Sequence, residues 1–187
     1  MNVVVDEKRP DLGGNLRHGD FGTWCPELWR VLIELYGIRT MLDVGCGEGH
    51  TVAFFNRLGV YGVGVDGLET NVRRAVFPIA VHDLTLAPFI MPVDLVWSSE
   101  VAEHIPETCV DNYLQSLANG RVVAMTHALP GQTGHSHVNC QPPEYWISAM
   151  KRYGYSASGG TQFFRDLAIK AGGGHYFANS GMVFLRD

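Results

Sequence analysis

A doubly wound α/β fold on a mainly parallel sheet is the class this sequence predicts, and three observations predict it. Apolar runs near 40–44, 61–65, 78–82, 93–98, 121–126 and 181–185 are mostly hydrophobic throughout, as strands covered on both faces are. Helical stretches separate several of these runs, and βα alternation is the pattern of a parallel sheet with right-handed crossovers. The first run also ends in a glycine turn, Gly45-Cys46-Gly47-Glu48-Gly49, that opens a helical segment.

The 187 residues suit one domain, 1–187, with a full core, and a hydrophobic share of 46% is ordinary for a globular chain. A net charge of −5 gives no basic stripe, which counts against nucleic acid as a partner, because that affinity comes from neutralised phosphates. Cys25, Cys46, Cys109 and Cys140 are scattered without paired spacing and read as reduced thiols of an intracellular protein. Residues 1–8 hold too short an apolar run for a signal peptide, and no stretch reaches the roughly 18 apolar residues of a membrane span. A cytoplasmic protein with no membrane partner is expected; the oligomeric state stays open.

From the start of the chain, residues 6–25 are polar and glycine-bearing and end in Thr23-Trp24-Cys25-Pro26. Thr23 is placed to cap a helix over Pro26–Tyr36 that buries Leu28, Val31, Leu32 and Leu35. Trp24 and Trp29 read foremost as packing of that helix against the sheet. The link from Asp83 to Pro92 is short for a crossover helix and carries two prolines, which predicts a loop. Thr126 to Pro143 has no hydrophobic period and contains three histidines, and loops of that length in compact domains are usually functional or disordered. Pro142-Pro143 then starts a helix over 144–153.

The glycine turn carries the chemistry. Glycines let backbone N–H groups approach a ligand closely, and the following helix points its positive end at the same spot. A dinucleotide fold would show G-x-G-x-x-G, whereas this chain reads G-x-G-x-G with Asp43 two residues ahead. Asp43 would repel a pyrophosphate but welcome an ammonium, since opposite charges at roughly 4 Å are worth several kcal/mol when partly screened from water. Asp66 follows about 20 residues after the turn, the spacing at which an acid accepts ribose hydroxyls. An NAD-dependent oxidoreductase therefore survives only as a minor alternative.

Leu42-Asp43-Val44-Gly45-Cys46-Gly47-Glu48-Gly49 resembles the first motif of class I, Rossmann-like S-adenosylmethionine-dependent methyltransferases. The likeness continues through Gly62-Val63-Gly64-Val65-Asp66, Val81-His82-Asp83-Leu84, Asp94-Leu95-Val96-Trp97-Ser98, Glu100-Val101-Ala102-Glu103-His104-Ile105 and Gly120-Arg121-Val122-Val123, covering about residues 10–187. It is nearest to small-molecule methyltransferases of the type 11/23 kind. The resemblance implies a seven-stranded, mainly parallel sheet with helices on both faces and an antiparallel last strand, Met182-Val183-Phe184-Leu185. It implies S-adenosyl-L-methionine as cofactor, S-adenosyl-L-homocysteine as product, and an N-terminal lid. About 1–36 would be lid and helix, 37–125 the cofactor-binding core, and 126–187 the acceptor loop and the rest of the sheet. In this scheme Asp43, Gly45, Cys46 and Gly47 cradle the cofactor and Asp66 takes the ribose. Asp83 takes the adenine amine between Leu68 and Leu84, and Gly67, His82 and Ser98 complete the set.

For the acceptor, methyl transfer to a hydroxyl needs a base, and histidine has the pKa for it near neutral pH. His135 or His137 is the candidate, with Glu100 as an orienting acid or alternative base. His137 has a competing structural role, its ring bonding a backbone carbonyl. His135-x-His137 with Glu100, His104 or Asp94 is weak support for a metal, and none is expected. Alignment without any base also remains open. Glu103 and His104 read as the start of the next helix. Gln141-Pro142-Pro143-Glu144-Tyr145 is superficially similar to the motif of amino-directed methyltransferases, but it lies in the wrong place. The function expected is methyl transfer to a small-molecule substrate, at oxygen of a metabolite or sugar; the alternative is a catalytically degenerate cofactor- or partner-binding member of the same fold.

Overall fold

The computed structural model describes residues 3–187. An antiparallel hairpin of β1 (Val3–Asp6) and β2 (Arg9–Leu16) opens the chain. There follow α1 (Pro26–Tyr36), β3 (Thr40–Val44), α2 (His50–Arg57), β4 (Tyr61–Asp66), α3 (Glu69–Arg73), β5 (Ala80–Val81) and β6 (Val93–Ser98). The second half holds α4 (Val110–Leu117), β7 (Gly120–Met125), α5 (Pro143–Lys151), β8 (Tyr155–Ala157), α6 (Thr161–Ala168), α7 (His175–Ser180) and β9 (Met182–Arg186).

Strands β3 to β9 form one seven-stranded sheet in the order β5-β4-β3-β6-β7-β9-β8. The pairs from β5 to β7 are parallel, and β9 runs antiparallel to both of its neighbours. From β3 the chain steps to β4 on one side and later returns to β6 on the other. Connections that diverge in this way leave a crevice at the carboxyl ends of the two central strands, which is where open α/β sheets receive ligands.

Because side chains alternate across a strand, the sheet has two cores. On one face Leu42, Val44, Val96 and Val123 pack with Tyr113, Leu114 and Leu117 of α4 and Trp146 and Met150 of α5. On the other, Met41, Leu95, Trp97 and Ala124 pack with Leu28, Trp29 and Leu32 of α1, Phe54 and Phe55 of α2, Phe164 of α6 and Phe177 of α7. All four cysteines are free. No helix among the described residues is long and apolar enough to cross a membrane.

Several local expectations need correction. The polar N-terminal segment contains the β1–β2 hairpin, hidden in sequence by Pro10 and the Gly13-Gly14 pair, both left-handed at φ 96° and 92°. Thr23 does not cap α1: its hydroxyl donates to the Asp20 carbonyl, and Cys25 takes the cap position without a side-chain bond. Leu35 is 58% exposed, and Trp29 takes its place on the buried face. The run at 78–82 yields only the two residues of β5. The three-residue edge strand β8 carries no sequence signal of its own. As expected, residues 84–92 form no helix, and α5 begins at the second of two prolines.

Trp29 is wholly buried and meets Trp24 at 5.0 Å, Phe54 at 5.2 Å, Trp97 at 5.5 Å and Phe55 at 5.8 Å between ring centroids. It thus joins α1, α2 and β6 through one side chain. Trp29→Ala is expected to lower the unfolding free energy by about 3–5 kcal/mol, read from the shift in urea midpoint at unchanged slope.

Candidate functional site

A cavity of about 670 Å³ opens at the carboxyl ends of the central strands, walled on one side by the β1–β2 hairpin and on the other by residues 132–138. Its floor is the turn between β3 and α2. Gly45, Gly47 and Gly49 all have left-handed backbone, at φ 76°, 55° and 77°. The Gly45 and Cys46 N–H groups both donate to the Val65 carbonyl, at 2.9 and 3.0 Å. A Cβ on Gly45 would lie 2.3 Å from Val101, so only glycine lets this turn sit against the loop after β6.

Asp66, at the end of β4, ties the turn to its surroundings. One carboxylate oxygen accepts the Gly47 N–H at 2.8 Å; the other accepts the Leu68 N–H at 2.9 Å and the Asn71 amide at 3.0 Å. Asn71 exchanges two hydrogen bonds with Asn15 of β2, which fastens the hairpin across the cavity. His18 adds a second tie, its N–H donating to the buried Glu48 carboxylate at 2.8 Å. A third is the Arg9 guanidinium, 2.8 Å from Asp83.

The acids along this wall sit in contrasting environments. Burial, reinforced by Asp66, pushes Asp43 up to about 8. Burial also raises Asp66, against the N–H donors that favour its charged form. At Asp83 burial is outweighed by the Thr85 hydroxyl and Arg9, which hold the carboxyl below its usual range. This half of the cavity is therefore an acidic trough with no cation at Asp43 among the described residues.

At the far end the structure gathers residues that the sequence leaves apart. Glu100 follows β6 in left-handed conformation, φ 55°, and its carboxylate accepts the Thr126 hydroxyl at 2.7 Å. Glu103 lies in the short turn Ala102–His104 and is wholly buried. Its carbonyl accepts the Val138 and Asn139 N–H groups at 2.9 and 3.0 Å, which draws the histidine loop onto this turn. The His104 and His137 rings meet edge to face at 5.1 Å. The His137 Nδ1 lies 3.3 Å from the Gln132 carbonyl, the kind of backbone contact that the sequence raised for this ring. His135 also faces the cavity, its Nε2 buried and without a hydrogen-bond partner among the described residues. Burial, then the charge of Glu100, pushes Glu103 up to about 8; burial, then His137, pushes His104 down to about 4.

Of the expected site residues, Asp43, Gly45, Cys46, Gly47, Asp66, Gly67, Leu68, His82, Asp83 and Leu84 line the cavity, as do Glu100, His135 and His137. Ser98 does not. It is fully buried, donating to the Val44 carbonyl at 2.9 Å and accepting the Tyr113 hydroxyl at 3.0 Å, and Ser99 reaches the wall instead. Glu103 and His104 do not begin a long helix, because a single 3-10 turn folds both into the cavity wall. Asn15, Asn71, Glu48 and Glu103 were not singled out as site residues. For Glu103, the acid-histidine pair three residues after Glu100 was the available signal.

A family model described as a methyltransferase domain matches residues 42–125. Among solved structures the chain is similar to the sugar N-methyltransferase KedS8 from Streptoalloteichus sp ATCC 53650, at 15% identity over 91% of this chain and 89% of that one, TM-score 0.66. It is similar to DesVI of Streptomyces venezuelae at 13% identity over 91% and 94%, TM-score 0.67. A further match is phosphoethanolamine N-methyltransferase 2 of Haemonchus contortus, solved with phosphomonomethylethanolamine and S-adenosylhomocysteine, at 16% identity over 85% and 52%, TM-score 0.58. No curated protein matches the chain. The likeness in structure is one of fold, and that fold is the Rossmann-like methyltransferase fold.

Asp43 gives the cofactor half a measurable signature. With its carboxyl raised to about 8, the ligand-free protein holds a proton there at neutral pH. An ammonium placed at Asp43, as the resemblance implies for S-adenosylhomocysteine, would favour the ionised form and lower that pKa, so binding at pH ~7 would release up to about one proton and tighten as pH rises towards 8. Titration calorimetry in buffers of different ionisation heat is expected to show this release in the wild type and not in Asp43→Asn. Equal apparent enthalpies in all buffers would contradict it.

Proposed function

We propose that this chain, whose residues 42–125 match the model of a methyltransferase domain, is an S-adenosylmethionine-dependent methyltransferase and that its acceptor is a small molecule methylated at a hydroxyl oxygen. The cavity residues suit the cofactor. Left-handed Gly45 leaves room where a Cβ would clash, and the buried Asp43 carboxyl has no cation of its own among the described residues. Asp43 and the glycine turn would hold the amino acid end, Asp66 the ribose and Asp83 the adenine, between Leu68 and Leu84. When bound, the cofactor supplies an electrophilic methyl group on a sulfonium.

The observation that carries the oxygen assignment is the set of glutamates and histidines at the far end of the same cavity, with Glu103 fully buried and Glu100, His104, His135 and His137 half-buried around it. An amine enters methyl transfer with its lone pair free and sheds a proton afterwards. A hydroxyl is a poor nucleophile until its proton has somewhere to go. His135 is the candidate to receive it, because its Nε2 has no partner among the described residues. Glu100 is held by Thr126 and suits orientation of the acceptor, and His137 steadies the loop through the Gln132 carbonyl. The compared structures include methyltransferases acting on nitrogen, and the two groups of acceptor differ in this demand for a base. Four unpaired thiols support an intracellular setting.

The test is incubation with isotopically labelled S-adenosylmethionine and a panel of hydroxylated and aminated metabolites and sugars, with products read by mass spectrometry. Label is expected in an O-methyl ether, and His135→Ala is expected to lower kcat about 10²–10⁴-fold while cofactor affinity is kept. Label on nitrogen, or full activity in His135→Ala, would overturn the assignment.

A further inference from the structure

We propose that Glu103, His104 and His137 form a binding site for a divalent cation of the first transition row, at the acceptor end of the cavity. One donor atom from each residue lies within 4.8 Å of the other two. A first-row ion with ligands at about 2.0–2.2 Å brings its donor atoms to within roughly 4.4 Å of each other, so small side-chain movements close the site.

A second observation points the same way. Glu103 has no exposed surface, yet neither of its carboxylate oxygens has a hydrogen bond of good geometry among the described residues; the Glu100 carboxyl and the Glu103 and Ala128 N–H groups lie near them. The His104 Nδ1 is buried and unpartnered as well. Buried polar atoms are almost always satisfied, and unpartnered ones on adjacent residues of one cavity wall call for a ligand. His137 already has the accessory contact usual for a metal-bound imidazole. Its Nδ1 sits at the Gln132 carbonyl, which leaves Nε2 with a free lone pair when Nδ1 carries the proton. The backbone is bent to serve this cluster: Glu100 and Ser136, neither a glycine, flank it at φ 55° and 51°. Non-glycine residues keep such conformations where the surroundings impose them, often at functional sites.

The donor set selects the ion. Two imidazoles with one carboxylate suit Mn²⁺, Fe²⁺, Co²⁺ or Zn²⁺, whereas Mg²⁺ and Ca²⁺ prefer oxygen throughout. Three protein ligands leave positions open, with the Glu100 carboxyl beside them as a further donor. A cation held there would polarise an acceptor oxygen, so the site deepens the hydroxyl reading given above; the metal itself can be measured without any acceptor.

The experiment uses tag-free, chelator-stripped full-length protein and Mn²⁺ as probe, followed by electron paramagnetic resonance. One saturable site per chain is expected. Echo modulation from imidazole nitrogen is expected on the bound ion, and binding should weaken at least tenfold in each of Glu103→Gln, His104→Asn and His137→Asn. S-adenosylhomocysteine titration of the same proteins reports folding and the cofactor half separately. No saturable Mn²⁺ binding in the wild type, bound Mn²⁺ without imidazole coupling, or unchanged affinity in all three variants would overturn the site. Any of these could occur with O-methylation intact, so failure here is distinct from failure of the hydroxyl reading.

Discussion

The Asp66 carboxylate is where the elements around the cavity meet. Through Gly47 it holds the turn after β3, through Leu68 the turn after β4, and through Asn71 and Asn15 the hairpin that closes over both. A carboxylate buried with charged-type hydrogen bonds on both oxygens is costly to bury and more costly to leave unpaired. That asymmetry keeps the three segments in register. The cavity floor is held the same way, because the glycine turn is tied from one side by Asp66 and set against Val101 on the other, where a Cβ on Gly45 would overlap.

Electrostatics gives the cavity its direction. Asp43, Asp66, Glu100 and Glu103 are all raised, with burial as the leading cause, and they share one enclosed space. Arg9, at the rim, is spent on Asp83 and Asp11. Such a space stores unmet demand for positive charge. An ammonium and a sulfonium would meet it at the Asp43 end, and a divalent ion would meet it at the Glu103 end. The fold supplies both ends from the same strand tips, since β3 and β6 are neighbours and their following loops diverge.

Much of this was legible in the residues. Five of the six apolar runs became strands close to their expected bounds, because doubly covered strands are continuously hydrophobic and few other patterns are. Pro26 marked the start of α1 through its ring geometry, and the structure ends that helix at the left-handed Gly37. The hairpin was illegible because proline and paired glycines read as loop, and its role depends on Asn15 and Arg9 reaching residues more than fifty positions away. Glu103 was misplaced for a related reason. An acid before a histidine suits a helix start, and only the tertiary approach of Val138 and Asn139 shows that the chain turns inward there. Ser98 lies one residue of strand alternation from the cavity wall, which sends its side chain to Tyr113 and that of Ser99 to the cavity.

The central claim is that the switch between β3 and β6 holds the cofactor, with Asp66 as its anchor. The most direct measurement is calorimetric titration of S-adenosylhomocysteine into the wild type and into Asp66→Ala, after each shows a cooperative unfolding transition. Micromolar binding in the wild type, about −8 kcal/mol, that is lost in Asp66→Ala is the expected result. No heat with the wild type, or the same affinity in both proteins, would contradict the account.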